Sequence, residues 1–286
     1  MEVTFVKMLS IEEIKSLQLQ ILLQFHEYCT EHALNYFITY GTLIGAVRHQ
    51  GFIPWDDDID VMMPRPDYEK FLELSQKVPV SKYLCSKHYS FSKHYNAPFV
   101  KLTDIRTNGH EMHLNKNIMC GVWIDIFPID GVPENKNERK SYIKKMRKMR
   151  QVLELSSRPL IFCKNPLRLL KRIIIYSCFH LFRYQKLAEK LDKLSSTKYR
   201  FEDCQTVGVI CFCGKADGFF PKSMFLEAQK INFEGHLFNA PQNIDLYLTK
   251  IYGDYKTLPP PEKRTNRHQY KAWWLEQPIS SNSEVL

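Results

Sequence analysis

No stretch of the 286-residue chain holds enough consecutive uncharged apolar residues to cross a membrane as a helix. The longest with helical character, Ile173 to Phe182, has about half of the ~20 residues a bilayer requires. Residues 1–14 lack the basic region, apolar run and small-residue cleavage site of a secretory leader, so the expected location is the cytoplasm. The eight cysteines lack a framework spacing, which argues against a disulfide scaffold and for reduced thiols. Internal repeats and low-complexity tracts are missing, and 44% hydrophobic with 25% charged residues excludes a disordered chain. Glycine is scarce, at 11 residues, and none lies between Pro133 and Val207. These absences leave one large globular domain, or one domain carrying a helical insertion.

The charge that is present is uneven. Residues 136–172 hold thirteen Lys or Arg against two acids, a local +11 in a chain whose total is +9, so the remainder is slightly acidic. A basic stretch of this kind is a docking surface for an anionic partner: nucleic acid, an anionic membrane face or a phosphorylated substrate.

Local patterns give an α+β reading. Ser10 and Glu13 have capping-box spacing ahead of an apolar stripe at Ile14, Leu17, Ile21, Phe25 and Tyr28, predicting a helix over 11–33. Residues 35–39 read as a short strand, 43–49 as a helix and 51–55 as a loop. A strand over 57–63 then leads through Pro64 and Pro66 into a helix ending near Gln76. Residues 97–103 and 121–126 are further strands, the second stopped by Pro128 and Gly131. Residues 207–213 read as a strand, 231–238 as a hairpin turning at Glu234-Gly235, and 242–252 as a helix stopped by Gly253. The expected organisation is a catalytic core begun by residues 1–134, a helical basic insertion over 135–204, and a C-terminal part, 205–286, completing the core and ending in a closing tail.

The acidic cluster carries the chemistry. On a strand, Asp58 and Asp60 point to one side while Ile59 and Val61 point into the core. Two carboxylates gathered on one rigid face repel unless a cation lies between them, and hard oxygen ligands suit Mg²⁺ or Mn²⁺. The alternative is a solvated acidic loop. Ahead of it, Gly41 permits close backbone approach to a phosphate, with the Thr42 hydroxyl and helix-start amides as donors; an ordinary turn with an N-cap is the alternative. Asp125, alone among apolar neighbours from Trp123 to Phe127, is a candidate third ligand or general base, or else caps the turn at Pro128, a role that suits Asp130 better.

Gly41-Thr42, Asp58-Ile59-Asp60 and the later Asp125 together resemble the nucleotidyltransferase superfamily, which pairs a Gly-Ser/Thr turn with an Asp-x-Asp strand and a third carboxylate. The longer segment from Gly41 to Phe71, with Trp123 to Pro133 and Tyr252 to Arg264, is similar to the LicD family of phosphocholine transferases, relatives of the fukutin-type ribitol-phosphate transferases. The resemblance spans roughly residues 25–270. It implies a nucleotidyltransferase-fold mixed sheet flanked by helices, and a metal-dependent transfer of phosphocholine from CDP-choline to a sugar hydroxyl of a surface glycan precursor, of teichoic acid or lipopolysaccharide type, releasing CMP. The acceptor would be a glycan or lipid-linked glycan, and no nucleic acid is expected. Rival readings are a ribitol- or glycerol-phosphate transferase, a true nucleotidyltransferase and a non-catalytic scaffold.

Other candidates each have a plain alternative. Arg48 can fork onto a pyrophosphate or lie on a helix surface, and Lys101, the one charge in its apolar run, can reach a phosphate. Arg264 and His268, beyond the Pro259–Pro261 run, either close over the site or belong to an exposed tail. Choline, a quaternary ammonium, is recognised by aromatic faces, so Tyr40, Trp55 and Trp123 are candidates for its box, or packing residues. Cys204, Cys211 and Cys213 with His180 match no zinc spacing and read as buried thiols. Leu167, Leu170, Ile174, Cys178 and Leu181 form one helical stripe among basic residues, either insertion core or a face that lies on an anionic membrane, the protein being peripheral at the inner membrane face in that case.

Overall fold

The capping box at Ser10 starts the first long helix. The Glu13 amide donates to Ser10 Oγ at 3.2 Å, and the Ser10 amide donates to Glu13 Oε2 at 2.8 Å. Helix α1 spans Ile11–Glu31 and buries the stripe from Ile14 to Tyr28 that its periodicity predicts. The computed structural model describes residues 5–92, 95–111, 114, 118, 120–160, 166–180, 183–212, 218–265 and 270–278.

Helix α1 packs on a mixed sheet. Strands β2 (Phe37–Ile38), β3 (Asp60–Pro64), β4 (Leu84–Lys87), β5 (Val100–Asp104) and β7 (Trp123–Gly131) pair in the order β2-β3-β7-β5-β4. Strands β3 and β7 run parallel, and the other neighbours are antiparallel. Strands β8 (Thr206–Gly208) and β9 (Phe219–Pro221) extend the sheet from the far end of β7. Helices α2 (Tyr40–His49) and α3 (Arg65–Lys77) flank it, giving the expected α+β class. A second sheet joins β1 (Phe5–Met8) to β12 (Tyr270–Leu275) and β12 to β6 (Thr107–Glu111), so the two ends of the chain meet. Strands β10 (Gln229–Phe233) and β11 (His236–Ala240) form the expected hairpin, with Glu234 and Gly235 at φ of 51° and 80° in its turn. Helix α7 (Ile244–Tyr252) stops at Gly253.

Residues 136–198 carry α4 (Lys136–Ser156), α5 (Pro166–His180) and α6 (Tyr184–Lys198). Tyr142, Ile143 and Met146 of α4 pack with Ala188 and Leu191 of α6 over Val132, a small core separate from the sheet's. A buried ion triad fastens α6 to the sheet. Arg65 Nε lies 2.6 Å from Asp130 Oδ1, and its guanidinium lies 2.9 Å from Asp192 Oδ1. The Tyr89 hydroxyl donates to Asp192 Oδ2 at 2.7 Å, so the guanidinium is shared by two carboxylates and the hydroxyl supports the second.

Several local readings change in the tertiary context. Pairing in β3 starts at Asp60, so residues 57–59 form a loop and Asp58 and Asp60 are not strand-mates. The backbone leading into β3 is held from two sides: Lys15 Nζ of α1 donates to the Ile53 and Pro54 carbonyls at 3.3 and 3.1 Å and Gln18 Nε2 to the Asp57 carbonyl at 2.8 Å, while the Asp125 amide of β7 donates to the Ile59 carbonyl at 2.9 Å. Helix α2 begins at Tyr40, placing Gly41-Thr42 inside its first turn. Strand β7 continues through Pro128, because β5 pairs with residues 123–126 and β8 with 130–131. The residue without an amide falls where the strand changes partners. Asp130 serves Arg65 rather than a turn. The strand expected over 207–213 ends at Gly208, and Cys211-Phe212 lie in a turn. Cys213 and Leu181 lie outside the described residues, as does the side chain of His180.

Candidate active site

Strand register builds the site. Asp60 on β3 is opposite Asp125 on β7, and Asp125 is opposite Lys101 on β5. Residues facing one another across adjacent strands share a face of the sheet, so two carboxylates and an ammonium stand in a row over three strands. All three line a cleft of about 1150 Å³, together with Asp56 and Asp58 of the preceding loop. The Asp60 amide donates to Thr42 Oγ1 at 2.8 Å, which fixes the start of α2 against the start of β3. Thr42 is buried, so its hydroxyl serves first as this brace.

Gly41 sits against the acidic loop. A Cβ there would fall 2.5 Å from Asp56 Oδ2, so only glycine leaves space for that carboxylate at the N-terminal turn of α2. Tyr40, one residue earlier, takes φ of 45°, a left-handed backbone uncommon for an aromatic residue, and packs edge-on against Phe127 at 5.7 Å between centroids.

The electrostatics converge on Asp60. Burial pushes its carboxyl well above the usual carboxylate range, and the neighbouring Asp58, Asp125 and Asp56 push it further, against a smaller opposing pull from Lys101. The Asp125 carboxyl is also raised by burial and by Glu111, and Lys101 opposes this. The Lys101 ammonium lies 3.1 Å from Asp125 Oδ1, 3.5 Å from Glu111 Oε1 and 3.7 Å from the centre of the Trp123 ring. Burial alone would lower it, but the two acids hold it well above the ordinary lysine value. Tyr252 at the end of α7 lines the same cleft as Asp56, Asp58 and Asp60.

The donor set suits a hard divalent cation. Asp56, Asp57 and Asp58 each offer an oxygen within 4.8 Å of the others, all of them carboxylate oxygens, and Asp60, raised first by burial and then by its acidic neighbours, lines the same cleft as Asp56 and Asp58. Among the described residues the carboxylates that come within this distance are Asp56, Asp57 and Asp58; Asp60 lies beyond that group, and Asp125 is engaged by Lys101.

The remaining candidates sort by what they touch. Arg48 lines the cleft; it donates to the Tyr255 carbonyl at 3.0 Å, and its buried Nε has no hydrogen-bond partner among the described residues. Trp55 lines the cleft beneath the Arg264 guanidinium, 5.6 Å from its ring centre, and Arg264 Nε donates to the Pro259 carbonyl at 2.8 Å. Arg264 is thereby brought to the site, and His268 lies outside the described residues. Trp123 is buried, covered by Lys101 on its face and packed edge-on against Tyr270 at 4.4 Å.

Other cleft residues have no local signature in the sequence. Glu111 arrives through β6, and Phe99, Phe127 and Phe212 form a contiguous aromatic wall with centroid separations of 4.4 to 5.8 Å. Arg150 of α4 lies 3.9 Å over the Phe212 ring, with Nε donating to Glu154 Oε1 at 2.8 Å. The spacing of four marks Arg150 and Glu154 as a helix pair, but nothing local marks them as a cleft wall.

Residues 33–164 match the family model described as LicD/FKTN/FKRP, nucleotidyltransferase domain. The chain is 32% identical over 272 residues to the lipopolysaccharide cholinephosphotransferase LicD of Haemophilus influenzae, covering 94% of this chain and 100% of that protein. Shorter matches join it to uncharacterised proteins of Rickettsia typhi, 44% identical over 24% of this chain and 23% of the relative, and of Rickettsia prowazekii, 39% identical over 32% and 33%. The similarity to the Haemophilus protein runs its full length and takes in β3, β7 and the tail alike, and the chain belongs to the LicD family.

Proposed function

We propose that the chain transfers phosphocholine from CDP-choline to a sugar hydroxyl of a lipopolysaccharide-type glycan, with Mg²⁺ or Mn²⁺ held by Asp58 and Asp60. The acceptor oxygen attacks the donor's β-phosphorus, the bond to the bridging oxygen breaks, and CMP departs with that oxygen. Bound there, the cation would neutralise pyrophosphate charge. Asp125 takes the acceptor's proton. Lys101, at 3.1 Å, favours the ionised carboxylate that this requires. Arg48, with its buried Nε–H, and Arg264 supply cationic donors for phosphate oxygens. The Thr42 brace and Gly41 keep the acids in place.

The observation that carries this reading is the Asp60–Asp125–Lys101 register on the floor of the cleft that the acidic loop also lines. The choice of choline is supported by the function of the Haemophilus relative and by the cleft's aromatic character. Trp123, Trp55 and Phe212 already carry cations of the chain on their faces, the contact a quaternary ammonium makes. Phe99, Phe127, Phe212 and Tyr40 provide the continuous wall, with Glu154 nearby as a carboxylate.

The test is CMP release from CDP-choline in the presence of a lipopolysaccharide acceptor, with and without EDTA. Wild-type turnover is expected to depend on the divalent cation, and Asp58→Asn and Asp60→Asn are each expected to lose about 10³-fold in kcat, the scale of removing one transition-state electrostatic partner. Faster turnover of CDP-ribitol or CDP-glycerol would reassign the head group. Pyrophosphate release from a nucleoside triphosphate would indicate a true nucleotidyltransferase, and EDTA-resistant transfer would overturn the metal assignment.

A further inference from the structure

Helix α5 leaves its apolar stripe outside the protein. Leu167 is 78% exposed, Leu170 55%, Ile173 38% and Ile174 53%, and Cys178 is exposed as well. These positions recur at helical spacing, so they make one face rather than scattered surface residues. Among the described residues the insertion's core is closed by Tyr142, Ile143 and Met146 of α4 against Ala188 and Leu191 of α6, and the exposed stripe of α5 takes no part in it. A contiguous apolar patch of this kind on a monomer marks an interaction surface.

Charge identifies the partner. Helix α5 contains Arg168, Lys171 and Arg172 in its sequence and no acid. On α4, against which α5 packs, Lys136, Lys140, Lys144, Lys145 and Lys148 are all exposed. A second copy of the chain pressed onto this face would bring like charges together, whereas an anionic lipid surface offers apolar chains to the leucines and headgroup charge to the lysines. At 15 residues α5 is too short to span, and among the described residues no helix is long and apolar enough to cross a membrane.

We infer that α5 lies in the plane of an anionic lipid bilayer and holds the catalytic cleft against it. Helix α4 makes the connection, since its Arg150, Leu153 and Glu154 line the cleft while α5 packs on the same helix. A lipid-linked acceptor would therefore meet the cleft at the surface that carries it. The docking itself depends on neither donor nor acceptor identity.

The test is flotation of the full chain with vesicles of phosphatidylcholine alone and of phosphatidylcholine with phosphatidylglycerol, at low and high salt. Recovery is expected with the anionic vesicles only, and it is expected to fall as salt screens the charges. The combined variant Leu167→Glu, Leu170→Glu, Ile174→Glu is expected to lose at least tenfold in vesicle partitioning, with an unchanged melting temperature because these side chains are exposed. No recovery with either vesicle, equal recovery with both, or a folded triple variant that floats like the parent would overturn the inference. So would a concentration-dependent dimer that the triple variant abolishes, since the face would then belong to a second copy. The readout is binding alone, so a failed transfer assay and a failed docking assay are distinguishable.

Discussion

Removing the Lys101 ammonium tests the central row of charges. Lys101→Met keeps the length and apolar character of the stem but takes the cation from beside Asp125 and Glu111, with Asp60 on the neighbouring strand. Breaking a fully buried pair by deleting one partner costs about 3–5 kcal/mol. The side chains here are 11%, 14% and 16% exposed for Lys101, Asp125 and Glu111, and the cleft admits water on one side, so the lower end, about 3 kcal/mol, is expected. Loss of the contact with Trp123 contributes within that figure, and proton uptake by Asp125 caps it. At about 2–4 °C per kcal/mol for a chain of this size, the melting temperature should fall by roughly 6–12 °C. The double variant Lys101→Met, Asp125→Asn removes one of the two acids along with the cation. It should therefore recover at least about 1 kcal/mol relative to Lys101→Met alone. Thermal and urea unfolding measure both quantities. A single variant costing less than about 0.5 kcal/mol, or strictly additive single and double variants, would refute the claim that Lys101 neutralises Asp125 and Glu111.

Two further perturbations probe the surroundings of the cleft. His88 is buried with Nδ1 2.7 Å from Ser90 Oγ, and burial lowers its imidazolium from 6.5 to about 4, with Asp192 opposing and Arg65 adding to the effect. Below about pH 6.5 the unfolded chain therefore binds a proton that the fold excludes, so stability is full above that value and falls by up to about 3 kcal/mol as pH drops toward 4. His88→Gln should flatten this part of the stability–pH curve. In α2, Gly45→Ala places a Cβ 2.3 Å from the Gly51 carbonyl oxygen and should cost about 1–3 kcal/mol despite alanine's better helix propensity. Gly41→Ala meets only the mobile end of Asp56, so its melting temperature should stay within about 2 °C of the parent while turnover falls, a contrast read from melts and CMP release.

The parts of this protein set by neighbours along the chain were legible in its sequence. The Ser10 capping box, the stripe of α1, the Glu234-Gly235 hairpin and the Gly253 stop each depend on a few adjacent residues, and the structure places them where those residues predict. The clustering of Asp56, Asp57, Asp58 and Asp60 is likewise local, since carboxylates this close in sequence share an electrostatic problem whatever the fold.

Long-range pairing decided the rest. Whether Asp58 belongs to a strand depended on long-range pairing: Gln18 of α1 takes the Asp57 carbonyl, and β7 reaches only as far as the Ile59 carbonyl through the Asp125 amide. Whether Pro128 ends β7 depended on β5 and β8 meeting the strand on either side of it. Asp125 became a site residue only because register sets it between Asp60 and Lys101, and a shift of one residue would turn it to the opposite face. The same holds for the apolar stripe of α5, which reads equally as core or surface until α4 and α6 close their own core without it. Sequence fixes which groups repel, pack or cap within a turn or a strand. Which distant groups come to neutralise Asp125, cover Trp123 or leave Leu167 bare is settled only when the sheet and the insertion assemble.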